Sequence, residues 1–69
     1  FLTITAVDQH SSDAMSRTFN SKSATEFKKS VEEFEEELPY RRYELMTEEF
    51  VDDYPQEIIE ILDELEVTY

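Results

Sequence analysis

The stretch from Ser23 to Pro39, "SATEFKKSVEEFEEELP", constrains the fold more than any other part of the chain. Phe27, Val31, Phe34 and Leu38 recur at i, i+4, i+7 and i+11, which a 3.6-residue period gathers into one narrow apolar stripe. Ser23 with Glu26 three residues on has the spacing of a capping box and supplies the helix start. Pro39 supplies the stop, because it disfavours helical dihedrals in the residue before it. Between Val31 and Leu38 stand five glutamates within six positions and no base. They are either a solvated helix face or a binding surface.

Elements on either side can be read in the same way. "FLTITAV" alternates Leu2, Ile4 and Ala6 against Thr3, Thr5 and Val7, and its β-branched residues favour a strand. "DQHSSD" reads as a loop, and "MSRTFNS" restores a period of two through Met15, Arg17 and Phe19. The pair predicts a hairpin. With no Gly and no Asn-Gly pair, its connection is longer than a favoured two-residue turn. After Pro39, "YRRYELM" sets Tyr43 and Leu45 against Arg42, Glu44 and Met46, a third strand.

The tail "TEEFVDDYPQEIIEILDELEVTY" reads as helical in two pieces. Thr47 caps a short turn through Glu48, Glu49, Phe50 and Val51, and Pro55 opens a helix at its first position. Ile58, Ile61, Leu62 and Leu65 make the buried stripe of that helix, with Ile59 at its edge. The expected fold is α+β: a β-β-α-β-α domain whose antiparallel or mixed three-stranded sheet is packed by two amphipathic helices. Sixty-nine residues allow one such domain, 1–69, with a thin core. Neither end is read as a native terminus, since the chain opens on Phe1.

A net charge of −12 with 35% charged residues would suit a disordered chain, but five Phe, four Tyr and regularly spaced aliphatics oppose that reading. Without cysteine there is neither a disulfide nor a thiolate nucleophile, and no apolar run approaches the roughly 20 residues of a membrane span. No basic stretch precedes an apolar one as in a leader, so a soluble chain is expected, and the absence of cysteine fits an intracellular protein. The charge is distributed unevenly. Residues 1–25 sum to zero, with Asp8 and Asp13 balancing Arg17 and Lys22, whereas from Glu44 onward there are ten acids and no base.

At 100° per residue, Glu32, Glu33 and Glu36 lie opposite the first stripe, with Glu37 at its flank. On the last helix Glu57, Glu60 and Glu64 line one side and Asp63 the other outer flank, while Glu48, Glu49, Asp52 and Asp53 continue the charge between the helices. Like charges three and four apart have Cβ atoms about 5–6 Å apart and destabilise a helix by a few tenths of a kcal/mol per pair. Solubility alone does not require this, since a net charge of magnitude about 2–8 is ample for a small domain.

In size and acidity the chain resembles the small acidic DNA-mimic proteins encoded mainly by bacteriophages. These block host DNA-binding proteins such as the nucleoid protein HU, RNA polymerase, nucleases or restriction systems. The residues that carry the resemblance are "EEFEEE", "EEFVDDY" and "EIIEILDELE", within 32–66. It implies a basic host DNA-binding protein as partner, the twelve acids named above as the partner-binding surface, no direct nucleic-acid binding, no cofactor, and the host cytoplasm as location. The alternative is an acidic immunity or antitoxin-type module masking a basic partner that does not bind DNA, with Tyr40, Tyr43, Tyr54 and Tyr69 as interface anchors.

No enzyme is expected. His10 is the lone histidine, beside Ser11 and Ser12 in a polar loop, and the chain leaves little room for a pocket of several hundred Å³. "DDYPQEIIE" lacks the order and glycine of a calcium loop, so no metal site is expected. Arg41 and Arg42 are expected to neutralise nearby acids or cover the sheet edge. A thin core with an open sheet edge predicts a homodimer.

Overall fold

The computed structural model describes residues 2–20 and 23–69. Phe1 and Ser21 of the expected strands, and Lys22 of the charge balance, lie outside the described residues. Strand β1 (Leu2–Asp8) pairs antiparallel with β2 (Ala14–Phe19), from Leu2 opposite Phe19 to Val7 opposite Ala14. Leu2, Ile4 and Ala6 are buried while Thr3, Thr5 and Val7 are half-buried, as the alternation predicts.

The hairpin loop is built around Asp8. Its carboxylate accepts from the backbone N–H of His10 and Ser11 and, at 2.6 Å, from Ser11 Oγ. The Ser11 hydroxyl first, and the His10 amide next, hold the Asp8 carboxyl below its usual range. In a chain without glycine, Ser12 itself takes the left-handed conformation that closes the loop, at φ 66°.

Helix α1 (Ala24–Glu37) starts where Ser23 Oγ accepts from the Glu26 N–H at 3.2 Å. It ends as Leu38 turns extended ahead of Pro39. Strand β3 (Tyr43–Met46) pairs antiparallel with the free side of β1, so the sheet order is β2-β1-β3. It is shorter than "YRRYELM", because β1 ends at Asp8 opposite Tyr43 and offers nothing for Tyr40–Arg42 to pair with along a ladder.

The tail differs from expectation at three joints. Thr47 Oγ1 does accept from the Glu49 N–H, yet the helical turn comes later, as a single 3-10 turn at Val51–Asp53. Thr47 is pinned by its N–H to Thr68 O at 2.9 Å, and the chain needs the intervening residues to bring Val51 into the core. Helix α2 (Gln56–Glu64) has Pro55 as its cap rather than its first residue: ψ is 147°, and the carbonyl accepts from Ile58 and Ile59 N–H.

At the far end, Leu65 caps α2 and the chain leaves the helix. Glu66 takes φ 59°, with Val67 N–H bonded to Leu62 O and Glu66 N–H to Asp63 O. This is a Schellman closure with glutamate where glycine usually stands. The buried pair Val67 and Leu62 supplies its apolar contact, and Thr68 then bridges Met46 in parallel, covering part of the outer edge of β3. The core lies between the inner sheet face and both helices, with Phe34, Ile4, Leu62 and Val31 at its centre.

Candidate partner-binding acidic surface

Both helices cover the same side of the sheet, so the outward helical surfaces and the loop between β3 and α2 form one layer of the molecule. All twelve acids expected at the partner surface, Glu32, Glu33, Glu36, Glu37, Glu48, Glu49, Asp52, Asp53, Glu57, Glu60, Asp63 and Glu64, are exposed. They do not form one continuous row. On α1 they divide into two, since Glu33 lies in a cleft with Arg17, Thr18 and Phe19 of β2, whereas Glu32 shares a recess with Ile61 of α2. Glu37 and Glu36 fall one turn further along the β2 and α2 sides respectively.

Bases modify both rows. Arg17 forms an ion pair with Glu37 and stacks its guanidinium 5.0 Å from the centre of the Phe34 ring. Lys28 reaches Glu64 at 3.3 Å and ties α1 to α2, and with Lys29 it lines the recess that holds Glu32. The carboxylates least offset by bases are therefore those from Glu48 to Asp63, none of which forms an ion pair among the described residues. Exposed pairs of this kind contribute little stability, about 0–1 kcal/mol, but they lower the local negative charge.

Tyrosines mark where acids from different elements converge. Tyr43 OH donates to Glu35 Oε2 at 2.7 Å, and this bond, with burial and the Glu35 charge, pushes the phenol up to about 12. Tyr69 OH donates to Asp63 Oδ1 at 2.9 Å, and its pKa is raised by that bond, by burial, and by the fields of Asp63 and Asp52. Tyr54 is raised by burial and then by Glu49 and Asp53, and Tyr40 by burial and then by Asp13 and Asp8. Tyr43 and Tyr54 pack on the core, while Tyr69 is 53% exposed.

The opposite face of the sheet differs in kind. Thr3 and Thr18 hydroxyls meet at 2.9 Å and Thr5 and Ser16 at 2.8 Å, a neutral ladder across β1 and β2. On β3 Glu44 brings an acid to this face, and it accepts from Thr68 Oγ1 at 3.5 Å.

A surface recess of about 550 Å³ is larger than chain length suggested, and it lies between the hairpin loop, β3 and the end of α2. Glu35, Arg41, Arg42, Glu44 and Glu66 line it, but His10 does not. Ser11 Oγ is bonded to Asp8 rather than to His10. Among the described residues, Arg41 and Arg42 form no ion pair, and no three metal-binding side chains converge. No described helix is long and apolar enough to cross a membrane.

Sequence reasoning missed three contributors: Arg17 as a lid on Phe34, Glu35 as the acceptor of Tyr43, and the exposure of Phe50. Arg17 was detectable, since its alternation with Met15 and Phe19 places it on the inner face. No family model, curated protein or solved structure matches the chain.

Proposed function

We propose that this chain is a DNA mimic, which occupies the DNA-binding surface of a basic host protein and inhibits its DNA binding. The observation that carries the reading is charge density confined to one layer. Twelve net negative charges over a longest dimension of 34 Å amount to about one per 2.8 Å. Duplex DNA carries about one per 1.7 Å of axis. A basic groove that recognises phosphate by charge therefore meets a field of the same order, on a rigid support. A nucleoid-associated protein such as HU, RNA polymerase or a nuclease presents such a groove. A phage-encoded inhibitor acting in the host cytoplasm fits this reading.

A homodimer belongs to the proposal. The outer edge of β2 is the open edge of the sheet, and residues 1–25 carry no net charge, so two copies meet there with least repulsion. Antiparallel pairing about a two-fold axis normal to the sheet leaves both helical layers on one face, doubling the acidic surface. Light scattering at micromolar concentration should give the dimer mass; a monomer mass overturns this part.

The test of function is affinity capture from a bacterial lysate at low and high salt, followed by elution with duplex DNA. The expected catch is a basic DNA-binding protein, released by salt and displaced by DNA. Changing Glu32, Glu33, Glu36, Glu57, Glu60 and Glu64 to Gln should abolish capture while the circular dichroism of the fold is retained. Failure to recover any DNA-binding protein overturns the reading. A basic protein that DNA does not displace supports the immunity or antitoxin-type module instead.

A further inference from the structure

Phe50 is out of place. It is 71% exposed, while Phe19, Phe27 and Phe34 are all buried in the core. Its immediate setting is acidic, with Glu48 and Glu49 before it and Asp52 and Asp53 two and three residues after. A phosphate mimic needs no ring there, and a polar residue would leave the fold untouched. The ring is also held outward by its neighbours rather than by fraying. Val51 is 4% exposed and pins the next position inside, Thr47 is buried and bonded to Thr68, and Tyr54 N–H closes the 3-10 turn on Val51 O. Successive residues of extended backbone point oppositely, so burying Val51 from an extended Phe50 (φ −82°, ψ 93°) drives the phenyl into solvent.

We infer that Phe50 is an apolar anchor set within the carboxylate field, and that the partner surface is a basic groove containing an apolar pocket. This rests on the proposed function and deepens it. An apolar pocket inside a basic groove suits proteins that stack on or extrude bases rather than contact phosphates alone. Charge complementarity identifies the occupant of the surrounding surface as basic, and it excludes a second copy, whose own ten acids from Glu44 onward would be brought against these. Recognition then has two separable parts. Carboxylates give the salt-dependent part and steer encounter; the phenyl gives a part that salt does not screen.

The experiment measures affinity of the captured, DNA-displaceable partner for the wild-type chain, for Phe50→Ala and for Asp52→Asn/Asp53→Asn, from 50 to 500 mM NaCl. Phe50→Ala should weaken binding roughly 10- to 100-fold at every salt concentration, with the slope of log affinity against log salt unchanged. The acid variant should flatten that slope. Urea denaturation should leave Phe50→Ala as stable as wild type, since an exposed ring supports no packing. Binding by Phe50→Ala within twofold of wild type overturns the anchor while leaving the DNA-mimic reading standing. A fall in molecular mass on Phe50→Ala would show that a second copy covers the ring and overturns the anchor likewise. If wild type retains no DNA-displaceable partner at 50 mM salt, the functional reading fails and the anchor fails with it.

Discussion

The hairpin and the layer that covers it are made of opposite materials. β1 and β2 expose threonine and serine hydroxyls that bond to one another, within a segment whose charges cancel, whereas the helices and the loop before α2 expose carboxylates three and four residues apart. One layer carries almost all of the electrostatic stress and the other almost none. What the difference teaches is how a 69-residue chain at −12 stays folded. The repulsive residues point away from a core that the neutral layer helps to close, and of the two ion-paired bases Arg17 crosses from strand to helix while Lys28 joins helix to helix within the acidic layer.

Breaking the join between the layers should have the largest effect. Phe34 is fully buried, 5.9 Å from the Phe19 ring in an edge-on arrangement, and lies beneath Arg17. Phe34→Ala removes one of the aromatic contacts that couple α1 to β2 and leaves a cavity, at a cost of about 3–5 kcal/mol. In a domain this small that is most of the stability, so urea denaturation should find both layers lost together.

A smaller break comes at Tyr43, where β3 meets α1. Its phenol, raised to about 12 from an ordinary 10, is favoured in its protonated form by the folded state. The contribution is whole below pH 10 and is lost as pH rises through 12. Wild-type stability should fall across that window more than that of Tyr43→Phe, measured by urea midpoints at about pH 9 and about pH 11.5. At neutral pH the substitution should cost about 0.5–1 kcal/mol, because the bond to Glu35 is only half shielded from water.

Sharpening the contrast requires acting on one layer alone. Glu32→Gln, Glu33→Gln and Glu36→Gln together relieve like-charge neighbours on α1 and should raise stability by roughly 0.5–1 kcal/mol. The gain should shrink in about 0.3 M NaCl, which already screens exposed charges. Thr3→Ala with Thr18→Ala should lower stability by about 0.5 kcal/mol, and salt should leave that loss unaltered. If salt moves both sets equally, the layers are not electrostatically distinct.

Much of this was legible in the sequence because it is periodic. The stripe from Phe27 to Leu38, the inward set Leu2, Ile4 and Ala6, and the stripe of α2 are local patterns that a buried face requires, and each lies on the core side its period predicts, except that Leu38 and Leu65 cap their helices and are only half-buried. The exposure of eight of the twelve acids, those on α1 and α2, followed from those same stripes, since what does not face the core faces water. The splitting of the α1 acids did not follow, because it depends on which neighbour lies on each side of the helix. The path from Thr47 to Val51, and the return of Thr68 to Met46, depend on partners far along the chain. The end of α2 was hidden for another reason: its closure uses Glu66 in a conformation whose usual signal is glycine.

That last point yields the smallest and most discriminating pair of changes. Ser12 in the hairpin loop and Glu66 after α2 are the described residues with positive φ, at 66° and 59°, one in each layer. Glycine adopts either geometry without a Cβ clash, and the relief is partly offset by the greater freedom it gives the unfolded chain. Ser12→Gly and Glu66→Gly should therefore each stabilise by about 0.5 kcal/mol, read from urea midpoints. Glu66→Gly also deletes one of the ten acids that follow Tyr43, so at low salt its gain should exceed that of Ser12→Gly. In about 0.5 M NaCl the two should converge, because only the conformational part survives screening. An excess for Glu66→Gly that persists at high salt would place the cost in the Schellman closure rather than in the acidic layer.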